Sequence, residues 1–197
     1  MSPERRWNHE QQPRWLLAYR YAEEILDARD PGSRFWRREN IQLTQLQMAH
    51  YVMVGRGLIL SEPLSALPVD NPEKRSERCQ WLLYGDSNEI HGACGFSRKL
   101  LFRVSQITLI TACQASNPKG EEDWTRLACF IMKELDEIRQ VNPEGVQPKV
   151  TVGHQPIEDI RMKPAKYVIT TREEMTEVTA EAWRIAIIAY LQCRFWR

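Results

Sequence analysis

The chain has 197 residues, 43% of them hydrophobic and seven of them tryptophan, enough apolar surface for one sizeable core or two small ones. Lys and Arg total 27 against 26 Asp and Glu, a formal charge of +1. That balance speaks against the basic footprint of a chain that itself grips nucleic acid, and against an acidic tail.

The N-terminus lacks the apolar run of a signal peptide, and no apolar stretch reaches the ~18 residues of a membrane span, so no membrane association and a cytoplasmic or nuclear location are expected. Cys79, Cys94, Cys113, Cys129 and Cys193 stand far apart, with no C-x-x-C pair. Cys113, Cys129 and Cys193 sit among apolar helical neighbours, so reduced, structural thiols are expected.

Residues 1–12 are polar and expected to be flexible. Pro13 offers a first-turn start for a helix over 14–29, with Trp15, Leu16, Tyr19, Ala22, Ile25 and Leu26 on one face. Asp30-Pro31-Gly32 ends it. A second helical run begins near Asn40, turns Leu43, Leu46 and Met53 inward with Met48, Tyr51 and Val52 beside them, and stops around Gly55 and Gly57. Pro63, Pro68 and Pro72 make residues 58–72 a loop or extended connector. Residues 73–84 read as a shorter helix carrying Trp81, Leu82 and Tyr84, with Gly85 just past its end.

Residues 91–113 organise the rest. Gly92 and Gly95 give a turn backbone freedom near positive φ, and Ser97 is placed to cap a helix start. Beyond it Leu101, Phe102, Val104, Ile107, Leu109 and Ile110 point to nearly every side of a 3.6-residue repeat, which predicts a hub helix enclosed by others. After the turn at 117–120, Glu121, Glu122 and Asp123 place negative charge where the helix dipole favours it. Trp124, Leu127, Ala128, Ile131, Leu135 and Ile138 then form a clean stripe, with Lys133, Glu134, Asp136 and Arg139 outside it.

Pro143, Pro148, Pro156 and Pro164 break the pattern and predict a long loop over 141–171. The last helix opens on Thr171-Arg172-Glu173-Glu174, a capping-box spacing with Thr171 as the cap. Met175, Val178, Ala182, Ala186, Ala189 and Cys193 form one face, and Trp183, Ile187, Ile188, Leu191 and Phe195 cover much of the rest. This predicts a second enclosed helix, the natural partner of the hub. Its abrupt end at Phe195-Trp196-Arg197 raises the expectation of further helices beyond it. The expected fold is all-α: an irregular bundle of about six helices with long proline-containing loops, in one domain over 13–197.

Few residues suggest chemistry. Gly95-Phe96-Ser97 invites a nucleophile-elbow reading, but Lys99 replaces the second glycine and no strand plainly precedes it, so capping accounts better for Ser97. His91-x-x-Cys94 offers two metal ligands where a tetrahedral site needs more, which leaves His91 as a residue that shapes the turn. Arg98, Lys99 and Arg103 give the hub helix a basic edge that could meet phosphate or an acidic partner, though such clusters are more often solvated faces.

Trp81, Tyr84, Phe96, Phe102, Trp124 and Trp183 either line a pocket for a hydrophobic small molecule or make an aromatic-rich core, and the core reading is the better supported. The residues that would form such an effector or packing pocket around the hub are Trp81, Tyr84, His91, Phe96, Leu100, Leu101, Val104, Trp183 and Tyr190. The carboxylates are dispersed and no acid–base pair stands out, so a binding protein rather than an enzyme is expected.

One combination of residues carries a family likeness. Trp81-Leu82-Leu83-Tyr84-Gly85, then His91-Gly92-Ala93-Cys94-Gly95-Phe96-Ser97-Arg98-Lys99-Leu100-Leu101, then Ile107, and finally Ala180-Glu181-Ala182-Trp183-Arg184 running into Ala189-Tyr190-Leu191-x-x-Arg194 resembles the regulatory domain of fungal-specific, zinc binuclear-cluster transcription factors. The likeness covers residues 80–113 and 173–197, and its motifs are mainly packing residues.

It implies an all-helical regulatory domain that acts in the nucleus by binding, with co-regulators or family relatives as protein partners, a hydrophobic small-molecule effector, and self-association. The chain departs from the family in having no six-cysteine cluster, no basic linker and no dimerising heptad run. Zinc is therefore expected only in that missing module, no cofactor is expected in this chain, and direct sequence-specific DNA binding by it is not expected. The rival readings are a stand-alone helical interaction protein that pairs with a full-length relative, and a small helical enzyme acting on an apolar metabolite.

Overall fold

In the computed structural model, residues 14–29, 45–61, 79–83, 86–92, 94–116, 121–143 and 168–196 are described. At their centre lies helix α3 (Arg98–Ser116), which buries Leu100, Leu101, Phe102, Val104, Ile107 and Ile110 on most of its sides. Around it pack α2 (Gln45–Ser61), the 3-10 turn η1 (Gln80–Leu83), α4 (Glu121–Glu137) and α5 (Arg172–Phe195). Burying one such aliphatic side chain contributes about 1.5–3 kcal/mol, so the six residues of α3 alone supply much of the core's stabilisation.

The fold is all-α, with five α-helices rather than about six among the described residues; α1 (Arg14–Arg29) is the remaining one. Of the helix expected over 73–84, the described part is Cys79, in α-helical conformation, and the 3-10 turn that follows it, whose Leu82 is fully buried. The only sheet among the described residues is a hairpin of β1 (Ile90–His91) and β2 (Phe96–Ser97), where the sequence suggested no strand.

Helix α2 runs through Gly55 and Gly57 and ends at Ser61, past the stop those glycines suggested. Gly57 is instead where α1 comes closest: a Cβ there would fall inside the Tyr19 ring. Val52 and Ile59 enter the core, whereas Leu46 and Met53, expected inside, are exposed. No described side chain of α1 belongs to the core; α1 packs on α2, and Trp15, Tyr19 and Ile25 stay largely open. Leu43 and the side chains of Met48 and Tyr51 lie outside the described residues, as do residues 1–13, 62–78 and 144–167.

Helix α4 follows its predicted stripe, burying Ala128, Ile131 and Leu135 along its length and Ile138 just beyond it, while Leu127 stays exposed. Helix α5 does not follow its prediction. It buries one stripe, Ala180, Arg184, Ile187 and Leu191, and leaves Met175, Ala182, Ala186, Ala189 and Cys193 exposed. The physical reason is Arg184, which occupies a core position because its charge is matched there by hydrogen bonds.

Candidate functional site

The turn before α3 is built by a four-residue loop between His91 and Phe96, which face each other in the register. The His91 carbonyl accepts from the N–H groups of Cys94 at 2.8 Å and Gly95 at 2.9 Å. Gly95 takes φ +74°, a conformation that costs an L side chain about 1–2 kcal/mol; Gly92, also expected there, is not in that region. On the other side of β1, Ile90 donates to the Val141 carbonyl at 2.8 Å and Val141 donates to Asn88 at 3.0 Å, a parallel bridge. The start of the segment expected as a loop therefore extends the hairpin.

Ser97 is fully buried, and its Oγ accepts from the Leu100 N–H at 3.3 Å, so it caps α3. The Lys99 N–H is satisfied by the Ser87 carbonyl at 2.9 Å. Gln140, which the sequence gave no reason to single out, accepts the Ser97 N–H at 2.8 Å and donates to the Ala180 carbonyl at 2.6 Å. Thr171 caps α5 with both halves of a capping box in place.

The residues expected to form a pocket are largely packed together. Phe96, Leu100, Leu101 and Val104 are buried in one cluster, and Trp183 stacks tilted on Phe96 with ring centroids 5.0 Å apart. Tyr190 reaches Thr108 of α3, oxygen to oxygen, at 3.2 Å. His91 is half-buried at the hairpin, and the side chain of Trp81 and all of Tyr84 lie outside the described residues.

Around the loop, burial pushes the Cys94 thiol up to about 11, against the opposing pull of Arg56 and Arg98. Burial and then Arg98 lower the His91 pKa, with Glu89 opposing. Among the described residues no three His, Cys, Asp or Glu side chains gather to hold a metal ion, and no helix is long and apolar enough to cross a membrane.

The basic edge of α3 is not a solvated face. Arg103 is buried and pairs with Glu134 of α4 at 2.5 Å, donates to Gln106, and lies 5.5 Å from the centroid of the Phe102 ring. Burial lowers its pKa and Glu134 works against that. Arg184 does the equivalent on α5. It forks onto Glu181, with Nε at 2.9 Å and Nη2 at 2.6 Å, and donates from Nη1 to the Leu135 carbonyl at 3.0 Å. A positive group thus sits on the carbonyl end of α4, where the helix dipole favours it.

An open groove of about 580 Å3 remains, between α4 and the end of α5. Cys129, Met132, Lys133 and Asp136 line it from α4, at the i, i+3, i+4, i+7 spacing of one helical face, and Gln192 and Trp196 line it from α5. Phe130 and Ile185 add exposed apolar surface on the same two helices. The spacing on α4 was legible in the sequence, but the buried stripe beside it drew the reading. Compared with protein-family models, with curated proteins and with solved structures, the chain finds no significant match.

Proposed function

We propose that the chain is a helical regulatory module that controls transcription by binding a protein partner, in the manner of the zinc-cluster transcription factors whose regulatory domain its sequence resembles. The observation that carries this reading is the groove between α4 and α5, apolar at Met132 and Trp196 and marked with charge at Lys133 and Asp136. Its α4 wall, one helical face, and its open side suit an amphipathic helix laid along it, the mode in which apolar anchors three and four residues apart enter a groove. The two helices that form it are anchored in the core by Ala128, Ile131, Leu135, Ala180, Ile187 and Leu191.

The test is a fusion of the full chain to a heterologous DNA-binding module in cells that carry a matching reporter. The reading expects reporter output to differ from that of the DNA-binding module alone, upward or downward. Equal output across growth conditions, with the fusion present at equal level, contradicts it.

A further inference from the structure

Helix α5 carries its charge on the side that packs, not on the side that faces out. Between Met175 and the C-cap Trp196 its charged residues are Glu177, Glu181, Arg184 and Arg194. Arg184 is buried against α4 and forks onto Glu181, while Glu177, one turn before Glu181 on the same row, is half-buried. Arg194 lies over the Tyr190 ring at 5.3 Å, and Tyr190 reaches α3 through Thr108. The outward half of the helix is left without a charge, where a helix packed on a core by one face ordinarily places its charged residues.

That outward face is apolar and regular. Met175, Ala182, Ala186, Ala189, Cys193 and Trp196 follow one another at steps of seven, four, three, four and three residues, and Thr179 divides the first step into four and three. All seven are exposed, and so is Ile185 beside them, with Met175 at 52% and Ile185 at 55%. Alternating steps of four and three are the repeat that lays one helix along another, sustained here over about 27 Å from Met175 to Cys193.

The face also indicates what fits it. Its flanking positions, Thr176, Val178, Trp183, Ile185, Tyr190 and Gln192, hold no charge. Such positions select a coiled-coil partner by sign, so this seam calls for no charged partner and does not repel its own copy. The alanines in its middle let a second helix approach to the short end of the range of about 8–10 Å between packed helix axes. Two identical uncharged seams match each other across a two-fold axis, and that arrangement closes with two chains.

We propose that the outward face of α5 is a dimer seam, on which the same face of a second copy of this chain packs. The seam does not rest on the regulatory reading, and Ala186, near its middle, does not line the groove.

Sedimentation equilibrium of the full chain under reducing conditions, from about 1 μM to about 1 mM, tests the seam. The mean mass is expected to rise with concentration from the 23.2 kDa of one chain toward that of two. Ala186→Glu changes an exposed position to a good helix former and is expected to weaken the pairing about 100-fold or more, because pairing would bring like charges together. A wild type that stays at one chain over the whole range overturns the proposal and leaves the face to a protein other than this chain. Pairing that Ala186→Glu leaves untouched overturns it as well. Should Ala186→Glu not fold, the methyl resonances of Ala182, Ala186 and Ala189 in the wild type decide: shifts that track the rise in mass support the seam, and stationary resonances beside a rising mass overturn it.

Discussion

Gln140 holds Ser97 from 43 residues away, its Oε1 accepting the Ser97 N–H at 2.8 Å. The other end of the same amide reaches the Ala180 carbonyl at 2.6 Å, so one side chain ties the cap of the hub helix to α5. Replacing Gln140 with Leu leaves the buried Ser97 N–H without an acceptor. A loss of about 1–3 kcal/mol is expected in urea unfolding, with the slope unchanged. A loss within error of zero contradicts the role of Gln140 as a tie.

Arg184→Met removes the partner of Glu181, whose side chain is only 15% exposed, and uncovers the Leu135 carbonyl. The expected loss is about 3–5 kcal/mol, the cost of stranding one member of a buried pair. The double replacement Arg184→Met with Glu181→Leu is expected to recover a large part of it, which denaturation of all three variants will show.

Gly95 and Gly92 belong to one loop and differ in what they tolerate. Gly95→Ala, at φ +74°, is expected to lose about 1–2 kcal/mol. Gly92→Ala meets nothing within 4 Å and is expected to be neutral within about 0.5 kcal/mol. Equal losses at the two positions contradict the described loop.

His91 should make stability depend on pH. Burial, then Arg98, depresses its pKa in the folded chain below the unfolded value of 6.5, so the unfolded state binds the proton more readily. The contribution is full above that unfolded value and is lost as pH falls through the lower, folded one. Unfolding midpoints of the wild type and His91→Gln, compared from pH 7.5 down to 5, are expected to keep a constant offset near neutral pH and to separate on acidification, the wild type falling relative to His91→Gln. Parallel curves contradict the assignment.

The sequence carried the hub clearly because apolar residues of 100–110 that point to nearly every side of a helix predict enclosure. It carried the two caps for a similar reason: a serine or threonine before a helical run is a local signal, read without tertiary contacts. The hairpin was not legible, since two-residue strands are too short for alternation to register, and Val141, which extends it, lies far along the chain. Helix α5 departs from its expected faces because Arg184 takes an inward position, which Glu181 one turn earlier and the end of α4 make acceptable. Gly57 misled in the opposite sense: it marks the approach of the Tyr19 ring, not a helix end. The groove depended on how α4 and α5 lie side by side, which no single stretch records.

The groove is where the functional account is most exposed to test. Lys133 lies on its rim with a side chain 75% exposed, and Trp196 is 45% exposed, so Lys133→Glu and Trp196→Ser change the groove with little cost to the fold. The decisive measurement is reporter output from the fusion carrying both substitutions, beside the unaltered fusion at equal protein level. The account predicts that the substitutions return output to that of the DNA-binding module alone; output unchanged from the unaltered fusion would contradict it.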